Sequence, residues 1–111
     1  MAQKFLRKTL KGVGAAGSAF SAVPAGKVWI ILACNVANAS GTGQQTGRVT
    51  YNDGVNEIEI VPAAAQIPVG GSLLGAGADG KDVLIPGDVV KVYVATGTGD
   101  VWLSYMEVDQ A

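Results

Sequence analysis

The chain has 111 residues, eight Lys and Arg against nine Asp and Glu, no histidine and one cysteine. That length suits one domain, and 49% hydrophobic with 15% charged residues excludes a chain disordered by composition. A charge content well below the ~25% usual for globular domains points to a surface partly covered by a partner.

The first element is a basic strand. Lys4, Arg7, Lys8 and Lys11 are half of all the basic residues, and no acid precedes Asp53. Across residues 4–11 the apolar Leu6 and Leu10 share a face with Lys8, while Phe5, Arg7, Thr9 and Lys11 share the other. Four basic against nine acidic residues follow from position 12 onward, a balance of −5. The chain therefore reads as a basic arm on an acidic body. Lys4, Phe5, Arg7, Lys8 and Lys11 are the candidate partner contacts. They could dock on an acidic protein surface or protect a strand edge from unwanted pairing; nucleic acid is the less favoured partner. Gly12–Ser18 reads as a flexible link, so that residues 1–18 form arm and link, and 19–111 the single folded domain. The run Gly12–Ser18 is too rich in glycine for the apolar core of a signal peptide, and no stretch has the ~20 apolar residues of a membrane-spanning helix.

The rest of the chain has period two. Val and Ile number 21 against seven Leu, a balance that favours strands, and sixteen Gly with four Pro are scattered as turn formers. Ala19–Val23 is a short strand ending at Pro24. Val28–Cys34 is the most apolar run and reads as a central strand buried on both faces. Residues 38–47 form a loop. Residues 48–61 form a hairpin about Asn52-Asp53-Gly54, with Ile58 and Ile60 facing in and Glu57 and Glu59 facing out. Gly71–Leu74 and Asp82–Ile85 are short strands separated by a Gly/Ala loop. Asp88–Thr96 and Asp100–Val108 read as a second hairpin, with Val90, Val92 and Val94 on one face. Both faces of the last strand are apolar, as expected where one meets the core and the other a subunit. The expectation is an all-β fold: a β-sandwich, jelly-roll-like, of seven to nine short antiparallel strands.

The chemistry is sparse. Without histidine the chain lacks the commonest general base and metal ligand. Cys34 cannot close an intrachain disulfide and reads as a small buried hydrophobe. The segment 41–47 lacks the Lys-Ser/Thr ending of a phosphate loop. Glu57 and Glu59 lie ~7 Å apart on one strand face, which solvent-facing alternation explains without catalysis. Asp79-Gly80-Lys81-Asp82 has too few ligands for a calcium loop. The expectation is no enzyme, no catalytic residue, no cofactor, no metal, no membrane and no nucleic acid. The aromatic residues read chiefly as core, with a sugar platform or an interface as the alternatives.

One set of motifs, taken in order, goes further. They are Val23-Pro24-Ala25-Gly26-Lys27 entering a hydrophobic strand, Asn38, Ile67-Pro68-Val69-Gly70, Pro86-Gly87-Asp88 entering a Val-rich strand, and Leu103-Ser104-Tyr105-Met106-Glu107. In this order over residues 19–108 the chain resembles small virion structural proteins of tailed bacteriophages. The resemblance implies a β-sandwich that decorates or cements a capsid, commonly as a homotrimer, with the major capsid protein or other virion proteins as partners. It implies a product made in the host cytoplasm and located in the virion. A neck, tail or fibre-base protein is the alternative within that class, and a carbohydrate- or receptor-binding module the alternative outside it. The basic start has no counterpart among these motifs. Removal of residues 1–11 is expected to weaken attachment and leave the body folded.

Overall fold

The computed structural model describes residues 3–39, 45–67, 72–76, 82–95 and 98–109. These form nine strands and no helix: β1 (Gln3–Val13), β2 (Ser18–Ala19), β3 (Lys27–Asn38), β4 (Gln45–Asn52), β5 (Glu57–Ile67), β6 (Ser72–Ala76), β7 (Asp82–Leu84), β8 (Val89–Ala95) and β9 (Gly99–Asp109). One sheet has the order β1-β9-β3-β6, with β7 also paired to β3, and the other β2-β8-β4-β5. All pairings are antiparallel. With β6 and β7 sharing one lane beside β3, this is the eight-lane jelly roll, two four-lane sheets face to face. The all-β sandwich expected from alternation is therefore the fold. Not every strand is short: β1, β5 and β9 have 11 residues each and β3 has 12.

Alternation positions the core. Trp29, Ile31, Cys34 and Val36 of β3, Val90, Val92 and Val94 of β8, and Val101, Leu103 and Tyr105 of β9 are buried between the sheets. The phase of β3 slips once, at a bulge between Ile31 and Ala33. Leu32 is the extra residue, so the inward series passes from Ile31 to Cys34. Polar ties join the two layers: the Tyr51 hydroxyl donates to Asp82 over 2.6 Å, and the buried Asn38 amide donates to the Ile67 carbonyl over 3.1 Å.

The Pro-Gly punctuation does what its chemistry requires. Ile85 C=O accepts from Asp88 N–H at 3.1 Å across Pro86-Gly87, with Gly87 at φ 92°. Pro24 C=O accepts from Lys27 N–H at 3.2 Å, with Gly26 at φ 79°. Both are turns whose third residue needs positive φ, the glycine position of a type II turn. In the β4–β5 turn the Asp53 carboxylate accepts from the amides of Val55 (2.9 Å) and Asn56 (2.7 Å). The Pro68 turn, residues 40–44 of the expected 38–47 loop, the Gly/Ala loop after β6 and Gly97 lie outside the described residues; Asn38 and residues 45–47 of that expected loop belong to β3 and β4.

Three expectations need correction. First, the strands expected over 88–96 and 100–108 are found as β8 and β9, but they do not form a hairpin. β8 pairs with β2 and β4, β9 pairs with β1 and β3, and the connection crosses between the sheets. Two adjacent alternating strands look like a hairpin in sequence because alternation carries no record of the partner. Second, β3 is central but buried on one face only; Val28, Ile30, Leu32 and Ala33 are half-buried within this chain. Third, the basic start is not a free arm. β1 is in register with β9 from Gln3–Val108 to Leu10–Val101 and again at Val13–Gly99, and Val13 is a core residue. The link is also tied down, since Gly14 C=O accepts from the amides of both Gly17 (3.0 Å) and Val94 (3.1 Å).

Candidate assembly surface

The outer faces of the two sheets differ in chemistry. In antiparallel sheets, residues directly opposite share a face. Phe5 is opposite Met106, Met106 opposite Ile30 and Ile30 opposite Val83. The result is one apolar row across four strands, about 14 Å long at the usual strand spacing. Phe5 is 76% exposed and Val83 61%. Val28 and Val108 pair in the next row, and Ile85 is exposed just beyond β7.

Towards the other end of the same face, Trp102 is 48% exposed, between Thr9 and Asn35. The Arg7 guanidinium lies 4.8 Å from its ring centroid, within the range of a cation–π contact. Beside the indole is an open, mainly apolar groove of about 340 Å³, whose lining includes Leu10, Val101, Lys11, Asn35 and Asp100.

The five sequence-derived contact residues are thus divided by the pleat of β1. Phe5 and Arg7 are on the outer face. Lys4 and Lys8 are on the inner face, where Lys8 Nζ lies 5.7 Å from the centroid of the Trp29 ring. Lys11 sits where the β1 register shifts. All but Lys8 are exposed. Ile30, Val83 and Met106 were not singled out from sequence; the signal available was that both faces of the last strand are apolar.

The outer face of the second sheet is polar. Arg48 Nε donates to both carboxylate oxygens of Glu59 (2.7 and 2.8 Å), and its Nη2 donates to Oε2 (2.6 Å). Its guanidinium lies 4.5 Å from the Tyr93 ring centroid. Glu57 accepts from the Thr50 hydroxyl over 2.7 Å and from the Tyr93 hydroxyl. The two outward-facing glutamates are therefore members of a salt-bridged network.

The Tyr93 and Thr50 hydroxyls, with help from Arg48, hold the Glu57 carboxyl below its ordinary value of 4.5. A depressed folded-state value means that the contribution is complete above the unfolded value and is lost as pH falls through the folded one. The stability gap between the parent and Glu57→Gln, read as the difference in urea midpoints, should close as pH is lowered from 7 through 4.5 and below. A gap unchanged over that range would show that Glu57 carries no such linkage.

Cys34 has no exposed surface, and burial pushes its thiol up to about 12. The thiolate is the reactive form, so iodoacetamide at pH 8 should leave the native chain unmodified and label it only in denaturant. Rapid labelling of the native chain would contradict this burial. Among the described residues no cluster of three potential metal ligands occurs, and no helix is long and apolar enough to cross a membrane.

No protein-family model matches the chain, and no curated protein does. Solved structures do. A structure described as "Bacillus endospore appendages form a novel family of disulfide-linked pili" has TM-score 0.57 and 12% identity, covering 99% of this chain and 88% of its own. The Drosophila NLP core, described as providing insight into pentamer formation and histone binding, has TM-score 0.49 and 14% identity, covering 95% and 98%. The nucleoplasmin-like N-terminal domain of Drosophila FKBP39 has TM-score 0.42 and 13% identity, covering 96% and 93%. At 12% identity the pilus protein shares the fold with this chain and nothing finer; the other two are weaker still and nothing is built on them. The shared fold does not carry disulfide linkage with it, because the one cysteine here is in the core.

Proposed function

We propose that this chain is a non-enzymatic structural subunit of a tailed-phage particle, specifically a decoration protein that binds across neighbouring major-capsid subunits. The observation that carries the reading is the apolar row Phe5–Met106–Ile30–Val83 on the outer face of the β1-β9-β3 sheet. Exposed apolar surface of this kind marks interfaces. The order of the turn motifs supports the virion assignment, and jelly rolls are a recurrent capsid architecture. Its structural neighbour among the endospore appendages is described as a pilus protein, and so belongs to an assembly.

The mechanism is binding alone. A stable contact buries on the order of 1,200–2,000 Å², and the apolar face would supply it, both to copies of the chain in a homo-oligomer, a trimer by the resemblance, and to the shell. Copy number in purified particles tests the reading, by quantitative mass spectrometry against the major capsid protein. Hundreds of copies per particle are expected. A dozen or fewer would move the protein to the neck, tail or fibre base, and none would remove the virion assignment.

A second reading, saccharide binding, has one observation in its favour: Trp102, half-exposed beside an open groove whose lining includes Lys11, Asn35 and Asp100. A glycan array carrying no saturable ligand removes it.

A further inference from the structure

The apolar row ends at both margins of its sheet. Among the described residues β1 is paired to β9 on one side only, and β6 and β7 are paired to β3 on one side only, so both margins are strand edges. Every second residue of such an edge aims its N–H and C=O away from the sheet, a template for another strand. We propose that a second copy of this chain extends the sheet head to tail, the free edge of β1 in one copy pairing with the free β6/β7 edge of the next. The inference rests on the assembly reading and names the partner and the contact.

Direction, side chains and charge agree. β1 and β3 both run antiparallel to β9, and β7 runs antiparallel to β3. A copy added in the same orientation therefore brings β1 antiparallel to β7. β1 is 11 residues long, and on the far edge β7 accompanies β3 over Trp29–Ile31 and β6 over Cys34–Ala37.

Placing Phe5 opposite Val83 continues the apolar row from one copy into the next and covers both side chains at once. The same register sets Asp82 opposite Leu6, with Lys4 and Lys8 as its diagonal neighbours, a spacing over which opposite charges attract. The alternative two-fold contact, β1 against β1, would bring Lys4, Arg7, Lys8 and Lys11 of both copies together; like charges facing across strands are destabilising. The basic edge thus repels its own kind and meets one carboxylate, Asp82, on the β7 edge. Such a heterologous contact builds a ring or an open filament and not a closed two-fold dimer.

The test is a mixing experiment with the full-length chain. F5C and V83C each alter one exposed side chain, and native Cys34 is buried. Under mild oxidation, neither variant alone should cross-link, and the mixture should give a covalent dimer holding one chain of each kind. The double variant F5C/V83C should give a ladder of larger covalent species. A dimer of F5C with itself would overturn the proposal in favour of two-fold pairing. No cross-link in the mixture would also overturn it; if light scattering then still finds oligomers, or particle copy number is high, the assembly reading stands without this contact.

The unmodified chain supplies an independent check. Amide exchange on dilution from oligomer to monomer should speed up in β1, β6 and β7 and stay unchanged in β2 and β5. A change confined to other strands would count against the pairing.

Discussion

A chain beginning at residue 14 is expected to lose its cooperative fold. Val13 is fully buried and Leu10 packs against the core. Full burial of a Val side chain is worth ~1.5–3 kcal/mol, and the partly buried Leu10 adds to it. The truncation also strips the ladder that β1 makes with β9 from Gln3 to Val13, turning a central strand into an edge. Domains of this kind have only ~5–15 kcal/mol in hand. Far-UV circular dichroism and a thermal scan decide the matter. A truncated chain with the parent's sheet spectrum and a midpoint within a few degrees would show that β1 is dispensable. Removal of the first five residues alone is the control. Lys4 and Phe5 are exposed, so the midpoint should hold while any assembly that uses Phe5 weakens. The sequence-based expectation concerns removal of residues 1–11, which leaves Val13 in place but still strips the β1 ladder from Gln3 to Leu10, so that shorter truncation should also lower the midpoint.

Trp29→Ala should be among the most damaging single substitutions, at ~3–5 kcal/mol, the usual range for removing a buried Trp. The indole is 2% exposed, and its ring centroid lies 4.3 Å from that of Tyr105 with a 35° tilt. Its Nε1–H donates to Glu107 over 2.9 Å, and Lys8 covers it from β1. Three strands of one sheet therefore converge on this side chain. Trp29→Phe should cost less, ~1–2 kcal/mol, because it retains most apolar area and loses the hydrogen bond. For a domain near this size each kcal/mol moves the thermal midpoint by ~4–8 °C, so the alanine variant should melt at least ~12 °C lower. Equilibrium urea unfolding of the three chains gives the free energies directly. An alanine variant within about 1 kcal/mol of the parent would show that the indole is not a centre of packing.

Much of the fold is legible residue by residue. Val90, Val92 and Val94 alternate with Val89, Lys91 and Tyr93, and that contrast alone marks which side turns inward. Asn52-Asp53-Gly54 marks a reversal because the Asp carboxylate can accept the amides that follow it. The inward orientation of Ile58 and Ile60 is likewise plain, although Ile58, near the β4–β5 turn, is 49% exposed. The candidate surface was only half legible. Phe5 and Arg7 stood out because charge is concentrated there, whereas Val83 and Met106 look like ordinary strand residues until their neighbours across the sheet are known. Arg48 gave no signal at all, since its importance lies in Glu57, Glu59 and Tyr93 on other strands.

The sequence by itself determined the class of the fold, the inward face of most strands and the sites of the Pro-Gly turns. Each of these depends on residues within a few positions of one another, through two-residue side-chain periodicity and the φ preferences of Pro and Gly. Only the tertiary structure decided that β8 and β9 belong to different sheets, that the basic first strand forms one edge of the sandwich, and that four apolar side chains from four strands form one row. Those facts depend on contacts between residues as far apart as Phe5 and Met106. Such pairings are selected by how the whole set of strands buries its apolar faces together, and no local pattern records them.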